Sequence, residues 1–227
     1  MTNSTTATTT ELIASDGFKL GAYVAQPAAK ARGAIVVIQE IFGVNAHIRA
    51  VCDGFAADGY TAIAPALFDR QQQGVELGYT EQDIAKGRDF KGSASTDAAL
   101  LDIAAARDHV RAAGRVGVVG YCWGGYLAWL AACRLDGLAA AVVYYGGGIG
   151  DVLHEVPRCP VLGHFGERDA MIPMDVIGNW RARHAQHPVH TYDAGHGFNC
   201  DHRGSHDAVA AAQARERTVA FFRQHVG

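Results

Sequence analysis

Five residues constrain this chain more than any others: Gly120, Tyr121, Cys122, Trp123 and Gly124, set between the apolar run Val116–Val119 and a segment rich in apolar residues up to Cys133. A cysteine on a strand-to-helix turn, with glycines two places before and two after it, has the form of a nucleophile elbow. The turn is so tight that larger flanking side chains would strike the strand or helix beside it. The amide of Trp123, at the helix start, then points to where an oxyanion would form, and the helix dipole favours a thiolate at Cys122. An elbow of this kind needs a buried sheet behind it.

The remaining sequence supplies one. Ala34–Ile38 is apolar on both faces, as a strand inside a parallel sheet should be. Asn45 can cap a helix carrying Ile48, Val51, Cys52, Phe55 and Ala56, which Gly59 stops. A strand over 60–64 ends at Pro65, and Thr96 can cap a helix through Leu100, Ile103, Ala104, Arg107 and Val110. Strands over 116–120, 139–145, 160–165 and 189–192, a helix over 124–133 and a last helix over 206–224 continue the alternation. The predicted class is α/β: a three-layer α/β/α sandwich with a mostly parallel central sheet. Residues 1–10, almost all Thr, Ser, Asn and Ala, read as a disordered tail, with 11–227 as a single domain. The polar, aperiodic stretch 67–92 reads as a long loop of the lid or binding kind.

Composition narrows the function. Hydrophobic residues are 49% of the 227, enough for a core without disulfides or metal. A net charge of -3 and no basic stripe argue against nucleic acid, and no apolar run nears the roughly 20 residues of a membrane span. Cys52, Cys122, Cys133, Cys159 and Cys200 form no C-x-x-C pair, which suits a reducing, cytoplasmic setting rather than a disulfide framework or zinc ribbon. No metal or other cofactor is expected. The pairs His184/His187 and His202/His206 read as solvated faces, and Cys52, Cys133 and Cys159 as small core residues.

A cysteine is only a few per cent thiolate at neutral pH, so a base and an orienting acid should lie elsewhere. Asp169 falls just past the strand ending at Phe165, and His196 just past the strand ending at Tyr192. The order nucleophile, acid, histidine is the one in which an α/β-hydrolase sheet brings three strand ends to one edge, with Asp169 fixing the tautomer of His196. Gln39, Glu40 and Ile41 follow the strand Ala34–Ile38, in the loop that supplies a second oxyanion donor, and the Ile41 amide is the candidate. Glu40 would repel a developing oxyanion unless it has a task of its own, such as holding the proton of Cys122; a surface-turn glutamate is the other reading.

Gln39-Glu-Ile-Phe-Gly-Val-Asn45, Gly120-Tyr-Cys-Trp-Gly-Gly125, the turn Gly166-Glu-Arg-Asp169 and Gly195-His-Gly-Phe198 together resemble the dienelactone hydrolase family, the carboxymethylenebutenolidases, over nearly the whole chain after the tail. The resemblance implies an α/β-hydrolase fold and opening of an enol-lactone, dienelactone to maleylacetate, in the breakdown of aromatic or chloroaromatic rings. It implies a Cys122, His196 and Asp169 triad acting through a thioacyl-enzyme. It makes Glu40 the glutamate that hydrogen-bonds the resting thiol and takes its proton as it swings, and the amides of Ile41 and Trp123 the oxyanion hole. Of the two arginines that hold the substrate carboxylate in the family, Arg70 fits the first. Cys200 occupies the second position, so Arg203 is the candidate replacement. Tyr144 and Tyr145 are candidates to line the pocket, with core packing as the alternative.

Two other functions suit the same residues. One is a broad carboxylesterase using the triad on neutral esters, suggested by Cys200 at the arginine position. The other is a non-catalytic redox-sensing or ligand-binding α/β-hydrolase fold whose Cys122 is oxidised. The expected partner is a small-molecule lactone or ester, with no nucleic acid and no membrane, acting on a monomer or small homo-oligomer.

Overall fold

In the computed structural model, which describes residues 5–227, β3 (Ala34–Ile38) and β5 (Val116–Tyr121) run side by side in parallel, and every one of their residues is buried. They occupy the middle of an eight-stranded sheet. With β1 (Thr6–Ile13), β2 (Lys19–Gln26), β4 (Thr61–Pro65), β6 (Leu138–Tyr144), β7 (Val161–Gly166) and β8 (Val189–Tyr192), the order is β1-β2-β4-β3-β5-β6-β7-β8. All pairs from β4 to β8 are parallel, while β1 with β2 and β2 with β4 are antiparallel.

Right-handed crossovers decide the layers. The connection from β3 to β4 steps one way along the sheet and puts α1 (Ala46–Ala57) on one face. Connections that step the other way put α3 (Thr96–Val110), α4 (Trp123–Arg134) and α5 (Met174–Arg183) on the opposite face. α6 (Ala208–His225) returns beside α1, where Phe55 meets Phe222 at a ring separation of 5.8 Å and Arg215 bonds Asp58. Across the sheet, Trp129 of α4 packs on Trp180 of α5 at 4.6 Å. The expected three-layer sandwich is what the chain builds. None of the helices among the described residues is long and apolar enough to cross a membrane.

The structure corrects four local readings. The loose tail does not extend to Thr10: from Thr6 onward the chain is β1, paired with β2 from Thr6 opposite Gln26 to Ile13 opposite Lys19, and residues 1–4 lie outside the described residues. Threonine's β-branched side chain suits an edge strand, so polarity alone was misleading. The stretch 67–92 is not one long loop, because α2 (Glu81–Ser93) lies in it. A reciprocal capping box starts it, with Thr80 accepting from the Asp83 amide and Asp83 accepting from that of Thr80, but only Gly87 is buried, so no apolar stripe advertised the helix. Ser95, not Thr96, caps α3. α5 is a helix that the alternation argument passed over.

Candidate active site

The elbow is built from backbone contacts. Cys122 sits between β5 and α4 at φ 57°, ψ -118°, a conformation that costs a non-glycine residue on the order of 1–3 kcal/mol. Its amide donates to the Tyr144 carbonyl at 3.0 Å and its carbonyl accepts from Gly125 at 2.9 Å, which hold it there. A Cβ at Gly120 would collide with the Gly124 carbonyl, one at Gly124 with the carbonyls of Ile38 and Gln39, and one at Gly125 with that of Tyr144. The three glycines therefore supply room for main chain to approach main chain.

β7 and β8 deliver the other two groups to the same edge. Asp169 follows β7 and is buried; its Oδ2 lies 2.7 Å from His196 Nδ1, and its Oδ1 accepts from the Met171 amide at 2.9 Å. Fixing Nδ1 in this way leaves Nε2 of His196 for Cys122. Nε2 itself makes no hydrogen bond of good geometry. Burial opposes a charge on His196. The hydrogen bond to Asp169 and the interaction with Cys122 outweigh it and carry the imidazole up to about 10. The Tyr145 ring stands edge-on to His196 at 5.2 Å.

Glu40 is buried at the end of β3, and its Oε1 accepts from Arg203 Nη1 at 3.1 Å while Oε2 has no partner. The hydrogen bond from the Cys122 thiol to Glu40, expected from the family resemblance, is not present: the buried carboxylate accepts from Arg203 instead. Burial works against Arg203's charge, and Glu40 and Cys122 more than restore it, raising its pKa. Arg203 also covers the Phe42 ring at 5.7 Å.

Cys122, His196 and Arg203 line one cavity of about 350 Å³, walled by Ile41, Phe42, Ile84 and Met171. The amides of Ile41 and Trp123 take part in no hydrogen bond among the described residues. A second cavity, of about 380 Å³ over β1 and β2, is bordered by Glu11, Lys19 and Arg49 and holds no triad residue. Two further cations, Arg88 and Lys91 of α2, face the first cavity, and neither is paired with a carboxylate among the described residues. Ile84, Arg88 and Lys91 fall at i, i+4 and i+7, one face of the helix. Sequence reasoning missed both cations. The capping box at Thr80 and Asp83 was the signal that would have revealed the helix and, with it, that face.

Arg70 does not reach this cavity. It forms a bidentate pair with Asp102, 2.8 Å on each arm, bonds Asp16, and lies 4.4 Å over the Phe18 ring. Asp102 has no exposed side chain, and burial pushes its carboxyl up in spite of Arg70, so a cation at position 70 is spoken for by the fold. Tyr144 is also displaced from the pocket: its hydroxyl meets Thr218 at 2.7 Å within the core. Tyr145, packed on the His196 ring, is likewise wholly buried and does not line the cavity, and its hydroxyl has no partner. His184 and His187 are not solvated; His184 meets the Leu153 carbonyl at 2.8 Å and His187 accepts from the Val161 amide.

Comparison with known proteins shows the family. The dienelactone hydrolase family model matches residues 20–226. A carboxymethylenebutenolidase of Pseudomonas putida is 36% identical, over 91% of this chain and 92% of its own. A Synechocystis protein provisionally named carboxymethylenebutenolidase is 34% identical, over 95% of this chain and 96% of its own. A solved structure from Klebsiella pneumoniae, provisionally named a dienelactone hydrolase, is 31% identical and superposes with a TM-score of 0.87, covering 98% of this chain and 100% of that one.

Proposed function

The chain belongs to the dienelactone hydrolase family and is a carboxylic ester hydrolase of the α/β-hydrolase fold, and from that premise we propose that it opens an anionic enol-lactone, dienelactone to maleylacetate, with Cys122 as nucleophile. What carries this reading is one cavity in which Cys122 and His196 meet Arg203, already tied to Glu40, and two cations without a carboxylate partner among the described residues, Arg88 and Lys91. A neutral ester has no use for that excess of positive charge. A lactone bearing a carboxylate is drawn in and oriented by it.

The thiolate of Cys122 attacks the lactone carbonyl, forming a C–S bond, and the oxyanion is held by the amides of Ile41 and Trp123. Collapse breaks the ring C–O bond and expels an enolate, which takes the proton of the His196 imidazolium to give the ketone and leaves His196 neutral. His196, oriented by Asp169, then removes a proton from water, which attacks the thioester and releases the second carboxylate and Cys122. Glu40, with Oε1 on Arg203 and Oε2 without a partner, is the candidate to receive the thiol proton when substrate binds. The lactone's place is the breakdown of aromatic or chloroaromatic rings, inside the cell.

The test is turnover of dienelactone beside a neutral nitrophenyl ester. Lactone loss should be fast, should vanish in Cys122→Ala, and should show roughly tenfold higher KM in Arg88→Ala/Lys91→Ala, with the ester unaffected by the double change. Ester cleavage without lactone cleavage would make the protein a general carboxylesterase, and turnover of neither would leave the redox or ligand-binding reading.

A further inference from the structure

Behind the catalytic pocket, outside the triad, Glu40, His47 and Cys200 come together. One ligand atom from each lies within 4.8 Å of the others, and all three residues are buried. Two of those atoms are unsatisfied: Glu40 Oε2 and His47 Nε2 have no hydrogen-bond partner, in side chains only 1% and 4% exposed. A buried polar atom left without a partner is destabilising, so two of them converging on a thiol point to a ligand site. His47 is also arranged as a metal ligand is. Its Nδ1 meets Asp201 Oδ1 at 3.2 Å, which fixes the proton on Nδ1 and leaves the Nε2 lone pair facing Glu40 and Cys200.

We propose that Glu40, His47 and Cys200 form a site for a divalent transition metal of the zinc type. A sulfur, an imidazole nitrogen and a carboxylate oxygen are the donors that such an ion takes, and tetrahedral bonds of about 2.0–2.3 Å need donors roughly 3.3–3.8 Å apart, a closure of about 1 Å from the present arrangement. On binding, the Cys200 thiol loses its proton to solvent as the metal–sulfur bond forms. The thiolate and the Glu40 carboxylate then balance the ion's two charges, and Arg203 keeps Oε1 because the metal uses Oε2. The fourth position faces His202, whose ring lies 5.9 Å from that of His47 and whose side chain is half exposed, giving a way in from solvent. Binding stands independently of the catalytic reading. Its consequence, that a metal holding Glu40 at both oxygens stops it from serving the Cys122 thiol and slows turnover, rests on the role proposed for Glu40 above.

The experiment uses cobalt(II) as the probe, titrated anaerobically into the full chain, with each variant checked for folding by circular dichroism. One equivalent should develop a near-ultraviolet thiolate-to-cobalt band, removed by zinc, and the band should be lost in Cys200→Ser and strongly weakened in His47→Gln but retained in Cys122→Ala. Absence of the band from the wild type, or a band that survives Cys200→Ser and disappears in Cys122→Ala, overturns the site. In parallel, one equivalent of zinc should slow lactone turnover at least tenfold, reversed by chelator. A filled site with undiminished turnover overturns the coupling to Glu40.

Discussion

The two sides of the catalytic cavity are made in opposite ways. On one side, β5, Cys122 and α4 are locked by main chain against main chain, where Gly120, Gly124 and Gly125 leave no room for a Cβ. On the other, α2 lies over the site with a single buried residue, Gly87, and presents Ile84, Arg88 and Lys91. The first side fixes the Cys122 backbone by main-chain contacts. The second presents exposed cations to the cavity. On the function proposed above, chemistry rests on backbone that leaves no room for a Cβ, and selectivity on the exposed cations of a surface helix.

The sharpest way to break that contrast is on the rigid side. Asp169→Asn should lower kcat by about 10³–10⁴, since the amide no longer holds the Nδ1–H tautomer of His196, with little change in KM. Steady-state kinetics with the lactone would show it, and a change confined to KM would move Asp169 to a binding role. Next is Arg70, which the fold claims. Arg70→Ala leaves Asp102 buried without its cation and should cost about 3 kcal/mol in denaturant unfolding, with the lactone-to-ester preference unchanged. Lost lactone preference without lost stability would return Arg70 to the substrate.

The soft side has its own test. Alanine is favoured over glycine in a helix by about 1 kcal/mol, yet a Cβ at Gly87 would strike the Ile41 carbonyl, next to the oxyanion loop. Gly87→Ala should therefore destabilise by about 1–2 kcal/mol and raise lactone KM, and a gain in stability would mean that α2 moves freely over the site.

The smallest effect lies beneath the rigid side, in the response to acid. Burial holds His164 of β7 well below its ordinary pKa of about 6.5, between Tyr192 at 2.8 Å and Thr218 at 3.1 Å. Below that pH the unfolded chain takes up a proton that the folded chain refuses, so stability falls with falling pH by up to about 1.4 kcal/mol per unit. His47, also lowered by burial, acts in the same direction. His196 has the opposite sign: raised to about 10, it contributes stability that is complete below about 6.5 and is lost as the pH rises through 10. Urea midpoints from pH 5 to 10 should peak near neutrality, and His164→Gln should flatten the acid limb.

Legibility followed the same division. The strands β3, β5, β6, β7 and β8 and the strand ends that carry Cys122, Asp169 and His196 could be read because buried apolar runs, helix periods and glycine spacing are local patterns. β1 could not, since its threonine-rich polarity belongs to a sheet edge, nor could β2, whose glycine and alanines carry no strong strand signal and whose second partner, β4, lies some forty positions on. α2 was hidden because a helix that buries one glycine has no stripe to detect. Arg70 was misassigned for a related reason: nothing beside it in sequence announces Asp102, 32 positions away and wholly buried.

The amino-acid order by itself determined the alternation of elements, the elbow with its cysteine, and the succession of acid and histidine along the sheet edge, because each is encoded within a few neighbouring residues. Only the tertiary structure decided which cations face the cavity, that Glu40 rests on Arg203, and that Glu40, His47 and Cys200 meet. Charges and lone pairs act across space at a few ångströms, and which ones lie that close depends on how distant segments pack.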